Sequence, residues 1–368
     1  MALVVRGAIK DYDWGIIDGL APWAGVSTGA PQAELWFGVH PGGPSPLVDP
    51  AGETTGTHLA SLFDVESIPL LVKLLAAARP LSVQVHPRRL LAQEGYDAQI
   101  ADPDAPRIYA DPFEKTELLI ALEPFQAFAG WRDPATAARF LEAVGLQAQT
   151  AALDAAIALV RAGEVTAALP LLLAASSAPA IACLAAAARE IGLSRAQVDA
   201  YAVVAAEYPD DPGALLTPLL DHVELAAGEA VFLPAGVPHS YISGIGVEVM
   251  TSSDNVIRLG LTSKPVFVEQ ALAVLDADAA PQVIRVGIGD TIWPVSSPFV
   301  ARLLSAGSER MPAGAYRIAL AIEGTAKVFS EGVDITLHPG TAAVMSAVDP
   351  DARIDVDGLV AVIQSTER

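Results

Sequence analysis

From Asp133 to about Leu220 the chain is Ala-rich, with apolar residues at helical spacing, whereas the residues on either side read as short strands divided by Gly/Pro turns. This order of strand, helix and strand texture constrains the fold more than any single motif. A purely helical stretch between two strand-rich ones reads as an insertion into a β framework. The expected fold class is therefore mainly β with an α-helical insertion. Local signals mark the edges of the insertion. Asp133–Pro134 supplies an N-cap followed by Pro at the first helical position. "SRAQ" (194–197) is a capping box, and "PDDPG" (209–213) marks a later break. A chain of 368 residues suits two or three domains. The expected division is a discontinuous β unit of 1–130 and 221–264, a helical unit of 131–220, and a second β unit of 265–368.

Residues 165–188, "VTAALPLLLAASSAPAIACLAAAA", carry no charge over a membrane-spanning length. Pro170, Pro179 and the pair Ser176–Ser177 interrupt this mostly Ala run, which predicts two short buried helices. The 22 Lys+Arg against 43 Asp+Glu give a net charge of −21. So acidic a chain repels nucleic acid and anionic membrane, and neither is expected as a partner. An anionic small molecule would need basic residues concentrated in one cleft. The lone Cys183 excludes a disulfide within the chain and a multi-Cys zinc site. Any metal must then rely on His, carboxylate, amide or water. The start, "MALVVRGAIKDYDWG", has no long apolar stretch and meets Asp11 and Asp13 early. No secretion signal is expected there, and the expected location is the cytoplasm.

"PLSVQVHP" (80–87) places Ser82, Gln84 and His86 at every second position. That is the side-chain period of a strand, so all three share one face while Leu81, Val83 and Val85 take the other. The polar face is either the outside of an edge strand or a face turned towards something polar. Zinc needs several donors converging from different strands. The candidates are His40, His58, Gln84, His86 and Glu117 before the insertion, and His222, Glu224, His239 and Glu248 after it. "GEAVFLPAGVPH" (228–239) matches the cupin metal motif through Gly228, Pro234, Gly236 and His239. A strand ends there in a Pro/Gly turn that aims one imidazole inwards. His40 lies in a turn-like His-Pro-Gly-Gly and reads as structural, and His58 and His222 have no motif support.

"PLLVKLLAAARPLSVQVHP", "KTELLIAL" with "PFQAFAGWR", and "FLPAGVPHSYISGIGVEVMTSSDNVIRLGLTSK" resemble, in order and spacing, the type I mannose-6-phosphate isomerases, as does "AELWFGVHPGGPS" (33–45). The resemblance spans nearly the whole chain and is weakest in the helical middle. It implies two cupin-like jelly-roll β-barrels plus a helical domain, and one zinc per chain held by Gln84, His86, Glu117 and His239. It further implies that Lys73, Ser82 and Lys264 contact phosphate and sugar, and that Arg258 is an active-site arginine. Glu248, Asp254 and Lys115 fall on family cleft positions. Thr116 stands where the family usually has Pro, between Lys115 and Glu117.

The implied substrate is a phosphorylated hexose. The implied reaction interconverts mannose 6-phosphate and fructose 6-phosphate by moving a proton between C2 and C1 through an enediol(ate), supplying mannose for GDP-mannose. Glu248 and Lys115 are the candidates for the acid/base group, and the sequence does not choose between them. Arg258 would stabilise the anionic intermediate or assist ring opening. A monomer or weak homo-oligomer is expected. Two other readings stand beside this one, a cupin dioxygenase and a non-catalytic sugar-binding bicupin; the Gln84 ligand and a lone motif His argue against the former. "GTAAVMSAVDPD" (340–351) has the outline of "GEAVFLPAGVPH", with Ser346, Val348 and Asp351 replacing the Pro, Gly and His, and His338 falls outside the ligand position. The second barrel is therefore expected to hold no metal.

Overall fold

Strand Leu70–Ala77 is buried along its whole length because it has a core on each face. Val72, Leu74 and Ala76 point into one apolar cluster, while Leu75 and Ala77 point into another, on the side that also carries Lys73. The computed structural model describes residues 2–49, 52–102, 104–175 and 178–366, and this strand lies within an eleven-stranded sheet. Its neighbours are Glu34–Phe37 on one side and the long strand His239–Thr251 on the other, with Glu117–Ala121 and Ala230–Leu233 beyond. All these pairings are antiparallel.

His239–Thr251 organises the sheet. Its second half pairs with Leu70–Ala77 and Glu117–Ala121; its first half pairs with Phe125–Trp131 and touches Val83–Val85 at His239. Between the halves sits Gly244, at φ 126°, where an added Cβ would come within 2.6 Å of the Phe125 ring. Only glycine relieves both constraints.

A second sheet of nine strands contains Phe299–Met311, Arg317–Ser330, Thr341–Met345 and Ala352–Ser365. It also takes in Leu3–Arg6, Pro46–Val48 and Thr54–His58, which come from the part of the chain expected in the first β unit. Leu3–Arg6 hydrogen-bonds along Thr341–Val344 and so covers an edge that would otherwise lie bare. In return Gln282–Ile284 adds to the first sheet beside Ala230–Leu233. The sheets share a core in which Leu74, Ile120, Val249 and Phe232 meet Phe299, Ile318, Leu320 and Ile363. Helix Arg89–Ala101 also interrupts the predicted all-strand region. Its apolar pattern is weak, and Leu90 and Ile100 are exposed.

The helical block comprises Pro134–Gln147, Asp154–Arg161, Val165–Ala174, Ala178–Ala182, Leu184–Glu190 and Arg195–Glu207, closed by a 3₁₀ segment, Pro212–Leu219. Asp133 caps the first helix by accepting from Thr136 N–H at 2.9 Å, and Ser194 and Gln197 form the reciprocal capping box. The uncharged stretch folds as three short helices rather than two, the third starting after a turn at Cys183. Ser176 and Ser177 lie outside the described residues. Among the described residues no helix is long and apolar enough to cross a membrane. The block packs against Val83, Val85, Phe128, Ile242, Ile257 and Leu259 of the first sheet.

Phe232 meets Phe299 edge-on at 6.2 Å between the two sheets and is fully buried. Phe232→Ala should therefore cost ~3–5 kcal/mol of unfolding free energy, measured by chemical denaturation. A loss confined to tenths of a kcal/mol would show that the two sheets do not depend on this contact.

Candidate metal centre and cleft

Val83 and Val85 are buried against the helices, so Gln84 faces away from them. The same alternation in Ile257–Gly260 buries Ile257 and Leu259 and turns Arg258 to the face of Gln84. In register, Gln84 stands opposite His239 on one side and Arg258 on the other. Ser82 lies one step back, its Oγ 3.4 Å from Gln84 Oε1. His86 continues the row just beyond the last strand residue and is buried. Glu117 joins from the next strand, opposite Leu233 and Met250.

These side chains converge. His86 Nε2 is 3.3 Å from Glu117 Oε1, His239 Nε2 is 3.2 Å from Glu117 Oε2, and Gln84 Nε2 is 3.2 Å from His239 Nε2. Tetrahedral zinc bonded to N and O donors holds its ligand atoms about 3.3–3.4 Å apart. The imidazoles are already oriented for such a role. His86 Nδ1–H donates to the Asn255 carbonyl at 2.7 Å and His239 Nδ1–H to the Val237 carbonyl at 3.0 Å, which leaves both Nε2 lone pairs facing inwards. Among the described residues, His86 Nε2 and Glu117 Oε2 are buried with no hydrogen-bond partner. Turning the Gln84 amide over brings its oxygen, the better metal donor, to the same point. Burial, reinforced by Lys115, pushes the His86 pKa down to about 4. Burial pushes Glu117 upwards, but Lys115, 2.8 Å away, and His86 pull it well below the usual carboxylate range. Neutral imidazoles and an ionised carboxylate are the protonation states that bind metal, so the residues present fit a divalent ion such as zinc.

The cluster opens into a cleft of about 620 Å³ that also holds Lys73, Lys115, Glu248, Asp254, Arg258 and Lys264. Lys73 stands opposite Glu248 in register and bonds it at 2.8 Å, with Glu34 at 3.4 Å on its other side. Trp36 fixes Glu34 through its Nε1–H at 2.8 Å and lies under the Lys73 ammonium. Burial opposes the charge on Lys73, yet the Glu248 and Glu34 carboxylates raise its pKa overall. Glu248 is shifted upwards by burial; Lys73 opposes that shift, while Glu117 and Glu34 add to it. Burial therefore favours the protonated form of Glu248, against the pull of Lys73. Arg258 and Lys264 differ from the other cations. Among the described residues neither side chain has an ion-pair or hydrogen-bond partner, and each lowers its pKa on burial, Lys264 also through the nearby Arg258. Two neighbouring unpaired cations in a chain of net charge −21 make an anion site.

All eleven residues singled out by resemblance thus border one cleft or the donor cluster at its base. Lys73, expected among the substrate contacts, spends its charge on Glu248 and Glu34. His40, read as a turn residue, is buried and donates through Nε2 to Asp254 Oδ2 at 3.1 Å, its Nδ1 accepting from Gly42 N–H. His58 is exposed on a peripheral strand, and His222 packs on Phe128 beside Gln126, away from the donors. Sequence reasoning missed Glu34, Trp36 and Asn255. Glu34 and Trp36 alternate within "AELWFGVHPGGPS", but nothing local shows that they would lie beside Lys73. In the C-terminal sheet, Asp351 pairs outwards with Arg310 and accepts from Ala313 N–H. The buried Arg317 there gathers the carbonyls of Met311, Ser346, Asp349 and Pro350.

A family profile described as phosphomannose isomerase type I, catalytic domain, matches residues 3–134. The chain is 30% identical to the mannose-6-phosphate isomerase of Escherichia coli (strain K12), over 96% of this chain and 97% of that one. It is also 30% identical to the Salmonella typhimurium protein of that name, over 92% and 93%. A crystal structure of an arginine-to-alanine variant of the Salmonella typhimurium phosphomannose isomerase superposes over 100% of both chains with a TM-score of 0.84 at 27% identity. A mannose 6-phosphate isomerase bound with zinc and yttrium does so with a TM-score of 0.82 at 27% identity.

Burial, followed by Arg132, lowers the His222 pKa to about 4. The unfolded chain, with an ordinary pKa near 6.5, then binds more protons than the folded one between about pH 6.5 and 4. His222 should leave stability unchanged above that window and reduce it as pH falls through it. In denaturation midpoints measured across pH, His222→Gln should shallow this acid-side decline by about one proton. An unchanged slope would count against the assignment.

Proposed function

The chain belongs to the mannose-6-phosphate isomerase family, and from that premise we propose that it interconverts mannose 6-phosphate and fructose 6-phosphate, with zinc as its metal and the supply of mannose for GDP-mannose as its outlet. One observation carries the reading. Donors with inward lone pairs, Gln84, His86, Glu117 and His239, share a cleft with the unpaired cations Arg258 and Lys264. That combination suits a substrate with an oxygen-rich sugar end and an anionic end.

Zinc held by those four residues would supply electrophilic stabilisation of the sugar oxygens as negative charge develops. The chain's own residues do the rest. Lys264 and Ser82 hold the phosphate, and the cleft sets the distance from there to the reacting carbons. Glu248, ionised beside Lys73 but shifted towards protonation by burial, takes the proton from C2 and returns it at C1. Lys115 stays bonded to Glu117 and keeps that carboxylate ionised. Arg258 offers its planar fork of donors to the enediolate. Asp254, oriented by His40, holds a sugar hydroxyl at the mouth.

Conversion of mannose 6-phosphate to fructose 6-phosphate should be abolished by chelation and restored by zinc. His86→Ala and His239→Ala should each lose metal and activity together, followed by elemental analysis and turnover; full metal occupancy in both would end the assignment. A non-catalytic sugar binder would show no turnover at any metal loading.

Arg258→Ala should lower kcat by on the order of 10²-fold or more with zinc retained, as for the loss of one preorganised oxyanion donor. Lys264→Ala should act mainly on KM, because it holds the phosphate in ground and transition states alike. Steady-state kinetics on the two variants separates the roles, and a near-normal kcat in Arg258→Ala would remove it from the reaction.

A further inference from the structure

His86 follows the last residue of its strand and precedes Pro87, so the sheet does not fix its ring. The ring is set instead by its Nδ1–H bond to the Asn255 carbonyl at 2.7 Å. That carbonyl belongs to a turn between His239–Thr251 and Ile257–Gly260, outside either ladder. What holds the turn is a network of side chains. Asn255 is fully buried; its Oδ1 accepts from Ala110 N–H at 2.8 Å, and its Nδ2 donates to the carbonyls of Asp111 at 2.8 Å and Phe113 at 2.7 Å. The Asp111 carboxylate answers from the other segment. It accepts from Ser253 Oγ at 2.8 Å, Asp254 N–H at 2.8 Å, Phe113 N–H at 3.0 Å and Asn255 Nδ2 at 3.1 Å. His239 needs no such device, since its Nδ1–H bonds Val237 inside its own turn.

We propose that Asp111 and Asn255 form a clasp that positions the His86 imidazole, so that metal affinity depends on two residues that never touch the metal. The inference rests on the metal reading above. Partners of a ligating histidine fix its tautomer and aim, and their loss weakens metal binding by about 10- to 100-fold. Here the acceptor is a main-chain carbonyl, which cannot be deleted by mutation. Its aim is instead delegated to the Asp111 and Asn255 side chains. The clasp also fixes the backbone of Asp254, tying the cleft mouth to the metal base through three consecutive residues, Ser253, Asp254 and Asn255.

The test measures zinc affinity of the full chain by competition with a chromophoric chelator, together with the visible spectrum of the cobalt(II)-loaded protein. Asp111→Asn should weaken zinc binding about 10- to 100-fold and alter the cobalt bands. Asp211→Asn is the control. Asp211 braces another loop through Gly213 and Thr262 N–H groups without reaching His86, so its loss should leave affinity and spectrum unchanged. Wild-type affinity in a folded Asp111→Asn, or a weakening matched by the control, overturns the clasp. Should Asp111→Asn fail to fold, Ser253→Ala removes one bond to Asp111; it should weaken binding several-fold, and wild-type affinity there overturns the proposal equally. If the wild-type chain takes up no zinc, the metal reading itself falls and the clasp with it, an outcome distinct from tight binding in every variant.

Discussion

The Nε2 atoms of His86 and His239 converge on the two oxygens of the buried Glu117 carboxylate, an arrangement that suits a shared cation. The cleft is organised around this constraint. The sheet register that brings His239 opposite Gln84, the Nδ1–H bonds that turn both imidazoles inwards, and the lysine beside Glu117 all suit the shared cation proposed above. Burial makes the arrangement costly without that charge and effective with it, since low dielectric strengthens both repulsion and attraction.

The second organising feature is how charge is distributed. The chain is strongly acidic, yet its cleft concentrates cations, and these divide into two kinds. Lys73 and Lys115 are spent on carboxylates and tune the proton affinity of Glu248 and Glu117. Arg258 and Lys264 have no protein partner among the described residues and remain available to an anion. The internal pairs keep their charge within the cleft wall, while Arg258 stands next to Gln84 in register with no such pair among the described residues. The C-terminal sheet shows the contrasting outcome. Its corresponding turn is gathered by the Arg317 guanidinium, a covalently fixed cation satisfied by main-chain carbonyls, and its acidic residue turns outwards to Arg310.

Several features were legible because they are local. A period of two in "PLSVQVHP" divides valines from polar residues, and the valines do pack on the helices while Gln84 faces the cleft. Asp133 and Ser194 cap helices through bonds that span three residues. The motif turn that aims His239 closes within a few residues. Long-range pairing is not legible in this way. Leu3–Arg6 lies within the range 1–130 expected for the first β unit, yet its partner is Thr341–Val344, more than three hundred residues away. Helix Arg89–Ala101 is not legible in the sequence because its apolar pattern is weak.

By itself, the sequence determined the alternation of side chains along the strand of Gln84, the helical middle with its caps, the absence of a multi-Cys site, and a family resemblance that singles out Gln84, His86, Glu117 and His239 as a proposed donor set. Only the tertiary structure decided that Lys73 lies between Glu248 and Glu34, that His40 stands behind Asp254, that Arg258 and Lys264 have no partner among the described residues, and that Asp111 reaches Asn255. The reason is physical. Period and capping arise from backbone geometry within a few residues, whereas register between distant strands is set by burying two faces at once. Which charges meet across that register is a property of the packed sheet, not of any segment.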